Sequence, residues 1–214
     1  MASGKRKLST VRAAFEKEIQ RLAKLDADNQ KRFAASTGAS SLRGLPKKQL
    51  HLLTEAAFFA GFRAYENMLR DAFLLYCLGQ VTSAGKRVSS FLKPKDLSHA
   101  EELVQSSMPF LDWSSPGLVA DRAEVYLKDG FPVKDALTSN QERLQHYKII
   151  RNHIAHRSTK SLQDYRKVLL KHFSTIPLVI PEPGEFLLLT ESGTGKHKLQ
   201  AFFDDILKTA HNLS

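Results

Sequence analysis

Apolar positions recur with a helical period along most of the chain. Between residues 10 and 35, Val11, Phe15, Ile19, Leu22, Leu25 and Phe33 return every few residues with charges between them. That spacing predicts an amphipathic helix. The stretch STGASSLRGLP then reads as a linker, and Pro46 suits the first turn of the next helix. Residues 47–79 carry the longest pattern. Phe58, Phe62, Tyr65, Leu69, Ala72, Phe73 and Tyr76 share one stripe, widened by Leu53, Phe59, Leu75 and Leu78, and Gly79 is a natural stop. So wide a stripe predicts a helix central to the core.

Three later helix starts read as capping boxes, in which a serine caps the first turn and an acid three residues on reaches back. These are Ser98 with Glu101, Ser139 with Glu142, and Ser161 with Asp164. They predict helices near 99–107, 140–156 and 162–173. Another helix is expected over 117–129, ended by Gly130 and Pro132, and a last one over 198–211. Between them lies a proline-rich break, where Leu178–Ile180 and Phe186–Leu189 could pair as a short hairpin. The expectation is an all-α bundle over 46–214, with a short β-hairpin or extended excursion near 176–197. Residues 1–45 would form a separate basic helical arm and linker.

Composition narrows the class. An apolar fraction of 42% and a charged fraction of 25% suit an ordinary globular chain of 214 residues with one sizeable core. The first ten residues lack the apolar run of a signal peptide. Glu55, Arg63, Glu66, Arg70 and Asp71 interrupt the most apolar region, so no membrane partner is expected. Cys77 is the single cysteine, which excludes an intramolecular disulfide and a cysteine-based zinc site and fits a reducing cytoplasm. Charge is uneven. Residues 1–48 hold twelve Lys or Arg against four acids, a local +8 of the chain's +10. A basic segment on a near-neutral body points to a polyanion, RNA or DNA first.

Several chemistries fail on spacing. SGTGKHK is no phosphate loop, because position 190 is Thr where a glycine is required and His197 follows the lysine. His146, His153 and His156 share one helix, but His153 and His156 lie roughly 60° apart around it. The charges beside them are Lys148, Arg151 and Arg157, which repel a cation, so neither a metal nor any other cofactor is expected. Glu101/Glu102 and Asp204/Asp205 are neighbours that diverge on a helix. What remains is Arg151 with His156. Imidazole exchanges protons near neutrality, and a guanidinium grips phosphate. Asn152 lies four residues before His156, so it can orient the ring. Arg151 lies about 140° around the helix from His156, which two copies meeting at a twofold axis would resolve.

RNHIAH (151–156) resembles the signature of the HEPN superfamily: an Arg followed by a polar residue, then His after a short spacer. AFFAGFRAYENMLRDAFLLYCLG resembles the early core helix of these domains, including an acid at Glu66. FLDWSSPGLVADRAEVYLKDGFPV followed by IIRNHIAHRS is similar in order to bacterial members, and the resemblance covers roughly 48–214. It implies a helical bundle that homodimerises and brings two Arg–His motifs into a cleft. Many such proteins are metal-independent endoribonucleases of toxin–antitoxin or antiviral defence systems, some with an antitoxin partner. Others are non-catalytic RNA-binding or scaffolding modules. By carry-over, His156 would be the general acid/base, Arg151 would hold the scissile phosphate and Asn152 would position the motif. Arg157, Lys148, Lys47 and Lys48 would contact RNA, with Glu66 in support. One toxin subgroup carries a modifiable Tyr two residues after the His; that position is Ser158 here, so neutralisation of that kind is not expected.

Overall fold

A computed structural model describes residues 6–36 and 44–213. Its regular structure there is helical: α1 (Leu8–Ser36), α2 (Lys47–Cys77), α3 (Leu97–Gln105), α4 (Pro116–Tyr126), α5 (Val133–Thr138), α6 (Gln141–His156), α7 (Thr159–Phe173), α8 (Pro183–Leu187) and α9 (Lys198–Leu213). The all-α class expected from the pattern is observed. Among the described residues no helix is long and apolar enough to cross a membrane.

Packing divides the chain into two units. The first unit combines Met1–Lys17, Ala64–Gln145 and Asp205–Ser214; the second combines Glu18–Arg63 and His146–Asp204. Helices α1, α2, α6 and α9 each contribute to both.

In the first unit, Phe73 and Tyr76 of α2 are fully buried, with Val104, Val119, Leu127, Leu137 and Ile206 among the other core side chains. Phe73 meets Trp113 edge-on at 5.3 Å. The Tyr76 hydroxyl donates to the Leu213 carbonyl, and Arg143 pairs with Asp205 at 2.6 Å, which ties the start of α6 to the middle of α9. Gln80 clamps the start of α1: its amide oxygen accepts from the Leu8 N–H and its amide nitrogen donates to the Arg6 carbonyl. Cys77 is a buried small side chain, and burial pushes its thiol up to about 12.

The second unit is built on aromatic rings. Phe58 of α2 lies 4.5 Å from Phe202 of α9, and Tyr147 of α6 meets Phe202 edge-on at 4.9 Å. A Cβ at Gly61 would come within 2.8 Å of the Phe203 ring, so α2 and α9 approach as closely as they do because that position is glycine.

The basic N-terminal helix is no appendage. Leu8, Val11, Phe15, Ile19 and Leu22 are buried, and the stripe continues through Asp26 and Asn29. Leu25, expected on that stripe, is 43% exposed, because the step from Leu22 runs four residues to Asp26. Burial raises the Asp26 carboxyl above the usual range, opposed by its hydrogen bond from Gln30.

The helix starts differ from the three expected boxes. Asp96 caps α3 by accepting from the His99 N–H at 2.9 Å, and Ser98 falls inside the helix. Asn140 supplies the first carbonyl of α6, while Ser139 ends α5 and donates to the Ala136 carbonyl. Ser158 caps α7 in a reciprocal box with Ser161. Pro132, read as a stop, directly precedes α5. The expected pairing near 176–197 is replaced by other structure: Phe186 and Leu187 lie in α8, and Leu178 and Val179 are exposed at a bend. An isolated bridge, Thr190 to His197, closes the glycine-bearing turn before α9, where Gly193 and Gly195 take left-handed φ of 81° and 68°.

If α1 belongs to the core, Ile19→Ala lowers stability by about 2–5 kcal/mol. Chemical denaturation of the full-length variant checks this; an unchanged midpoint would mean that α1 is dispensable.

Candidate functional site

Helix α6 is seated by Leu144, Tyr147 and Ile150, all buried. With these anchors inward, Arg151 and Asn152 are half-buried at the rim, and Ala155 and His156 are exposed. His156 is the last residue of the helix. Ile154, expected in the core, instead lines a shallow groove of about 540 Å³. The other walls of that groove are Leu52, Glu55, Ala56, Phe59, Ala60 and Arg63 of α2, with Ala155 at its edge.

The Arg151 guanidinium sits 5.3 Å from the Phe59 ring centroid, a cation–π placement. Its Nη1 donates to Asn152 Oδ1 at 3.1 Å. Asn152 thus supports Arg151, whereas sequence spacing pointed to His156. A long guanidinium can fold back onto its neighbour, which helical spacing alone does not reveal.

Arg157 follows at φ +47°, in the left-handed region, and its N–H donates to the His153 carbonyl. That conformation costs a non-glycine residue on the order of 1–2 kcal/mol. Compensation comes from the side chain. Nη2 donates to Glu55 Oε2 at 2.8 Å, and Nη1 pairs with Glu182. The Glu182 hydrogen bond is the main reason the guanidinium pKa is raised. The second Glu55 oxygen accepts from the Gly184 N–H at 3.0 Å. Arg157 was expected to contact RNA; here its guanidinium holds the α6–α7 corner to α2 and to the segment leading into α8.

His153 is a core histidine. It is 7% exposed, stacks on Tyr165 at 4.9 Å, and its Nδ1 lies 3.1 Å from the Ser161 hydroxyl. Burial first, and the Arg157 charge second, hold its pKa below the ordinary value.

The other expected residues are dispersed. Lys47 is exposed and reaches Glu185 at 3.3 Å; Lys48 is exposed in the first turn of α2, and Lys148 is half-buried on α6. Glu66 falls in the first unit, where its charge adds to the burial that raises the pKa of Tyr65. Among the described residues no group of three or more His, Cys, Asp or Glu side chains is placed to hold a metal ion.

Sequence reasoning missed Glu55. Its signal is an acid set among Leu52, Phe58, Phe59 and Phe62, on a helix whose face is otherwise apolar. No family model matches the chain, and neither a curated protein nor a solved structure matches it.

His153 makes stability pH-dependent. Unfolding restores its ordinary proton affinity, so the unfolded state binds more protons below a pH of about 6.5. Its contribution is fully present above that pH and declines as pH falls through it. The thermal midpoint of His153→Gln, which keeps a polar partner for Ser161, should drop less between pH 7.5 and 5 than that of the wild type.

Proposed function

We propose that the chain is a metal-independent endoribonuclease of the HEPN type, acting as a homodimer in growth control or defence, with a protein antitoxin or defence partner. The reading is supported first by Arg151, held over Phe59 and bonded to Asn152 on the helix that ends in the exposed His156. A guanidinium in that setting can take a phosphate diester through two N–H donors. The substrate's own 2′-hydroxyl attacks the adjacent phosphorus. One imidazole of the site accepts the hydroxyl proton, and an imidazolium returns a proton to the departing 5′-oxygen. The products are a 2′,3′-cyclic phosphate and a 5′-hydroxyl. The protein supplies the proton carrier and the cation, His156 and Arg151, and RNA supplies the nucleophile.

The groove supports the dimer. Leu52, Ala56 and Phe59 recur at four- and three-residue steps along α2, and Leu52 is 62% exposed. A second copy laid along this seam would bury it and bring another Arg–His set to the same cleft. Lys47 and Lys48, exposed at the start of α2, add charge for the RNA backbone.

RNA cleavage in EDTA is the test. Wild type should cut and leave 2′,3′-cyclic phosphate ends, with the rate falling about 10²–10⁴-fold in His156→Ala and a comparable loss in Arg151→Ala. Equal residual activity in all three proteins marks a contaminant and sinks the reading. RNA binding by a clean dimer without cleavage would favour a non-catalytic module. Leu52→Asp should convert the dimer to monomer by sedimentation equilibrium, and an unshifted mass would reject the seam.

A further inference from the structure

We infer that Glu55 is the positioning residue of the proposed nuclease site, acting through Arg157 to fix where α6 ends and so where His156 stands. The inference rests on the nuclease reading for its kinetic consequence only. Glu55 is 6% exposed, and a carboxylate so buried requires partners for both oxygens. It has them from two directions: the Arg157 guanidinium at 2.8 Å and the Gly184 N–H at 3.0 Å. Gly184 is seated hard on α2, since a Cβ there would lie 2.3 Å from the His51 carbonyl oxygen. One carboxylate therefore joins α2, the first turn of α8 and the residue directly after His156.

The backbone says why this matters for His156. Arg157 is left-handed at φ +47°, so α6 stops at His156 rather than running on. Ser158 then caps α7 through its box with Ser161. A non-glycine residue keeps that conformation only where its surroundings hold it. The Glu55 and Glu182 ion pairs are what hold this side chain. Without the Glu55 contact, the last turn carrying Ala155 and His156 loses its tether at the groove, whose wall Glu55 itself forms. Arg151 is held separately, by Phe59 and Asn152. Loss of Glu55 should therefore displace the proton carrier while leaving the phosphate-gripping cation in place.

Glu55→Gln keeps the size and an acceptor for the Gly184 N–H but removes the charge that holds Arg157. In full-length protein it should lower kcat for RNA cleavage by about 10–100-fold, the usual effect of a small misplacement, with KM within about twofold. Arg157→Gln, which loses the Glu182 pair as well, should do at least as much, and the double variant should be no worse than Arg157→Gln alone, because the Glu55–Arg157 contact is already gone there. A second reading needs no activity. With ¹³C-labelled histidine, the His156 ring signal, assigned by its loss in His156→Gln, should move or broaden in Glu55→Gln, while that of His99 in the first unit stays. An unmoved His156 signal with unchanged kcat overturns the inference. If wild type cuts no RNA, the nuclease reading fails by itself, and the ring signal alone decides: displaced, Glu55 positions the helix end; undisplaced, it does not. Should Glu55→Gln not fold, Arg157→Gln, which leaves the Glu55–Gly184 bond intact, gives the same two readouts.

Discussion

The contact of Phe58 with Phe202 and Tyr147 is the one on which the second unit turns. Three rings from α2, α9 and α6 meet within 4.5–6.4 Å of one another. Aromatic rings bury a large area each and prefer tilted or edge-on approach, so together they fix rotation as well as distance. Once Tyr147 is locked, the 3.6-residue period dictates the rest of α6: Ile150 goes inward, and Arg151 and Asn152 fall at the rim. The exposed motif is thus a consequence of the buried one.

Two histidines three residues apart on α6 show how environment divides identical chemistry. His153 lies against Tyr165 and Ser161, away from water, where a proton is unwelcome. His156 ends the helix in solvent. The first braces the α6–α7 corner, and the second is exposed at the end of the helix. A sequence shows both as the same letter, and spacing alone does not tell that His153 is a structural member.

Much of the fold was legible. The helices around Phe58–Tyr76, Leu144–Ile150 and Leu199–Ile206 follow from apolar periodicity, because a wide buried stripe leaves a repeating trace. Their first residues were not, because several neighbouring residues are good caps and only one stands before the first turn: Asp96 and Ser158 do, whereas Ser98 and Ser161 fall inside the helices. The N-terminal helix has two faces, and composition reports one of them. Its charge count described its outer face, while Val11, Phe15 and Ile19 were already committed inward. At the candidate site, the Arg–His spacing is local and could be read. Glu55 could not be assigned to Arg157, 102 positions away, since periodicity carries no information about which distant charge an acid will meet.

Gly184 imposes a constraint of another kind. With the His51 carbonyl where a side chain would begin, that position accepts one amino acid, and Pro183 before it admits a narrow range of backbone angles. The short RNHIAH string can arise by chance in many chains. A buried acid early in the long helix, an arginine directly after the histidine and a Pro-Gly pair some 27 residues beyond it form a sparser fingerprint. Its parts are tied by contact rather than by proximity in sequence, so it offers a stricter criterion for deciding which distant chains share this architecture.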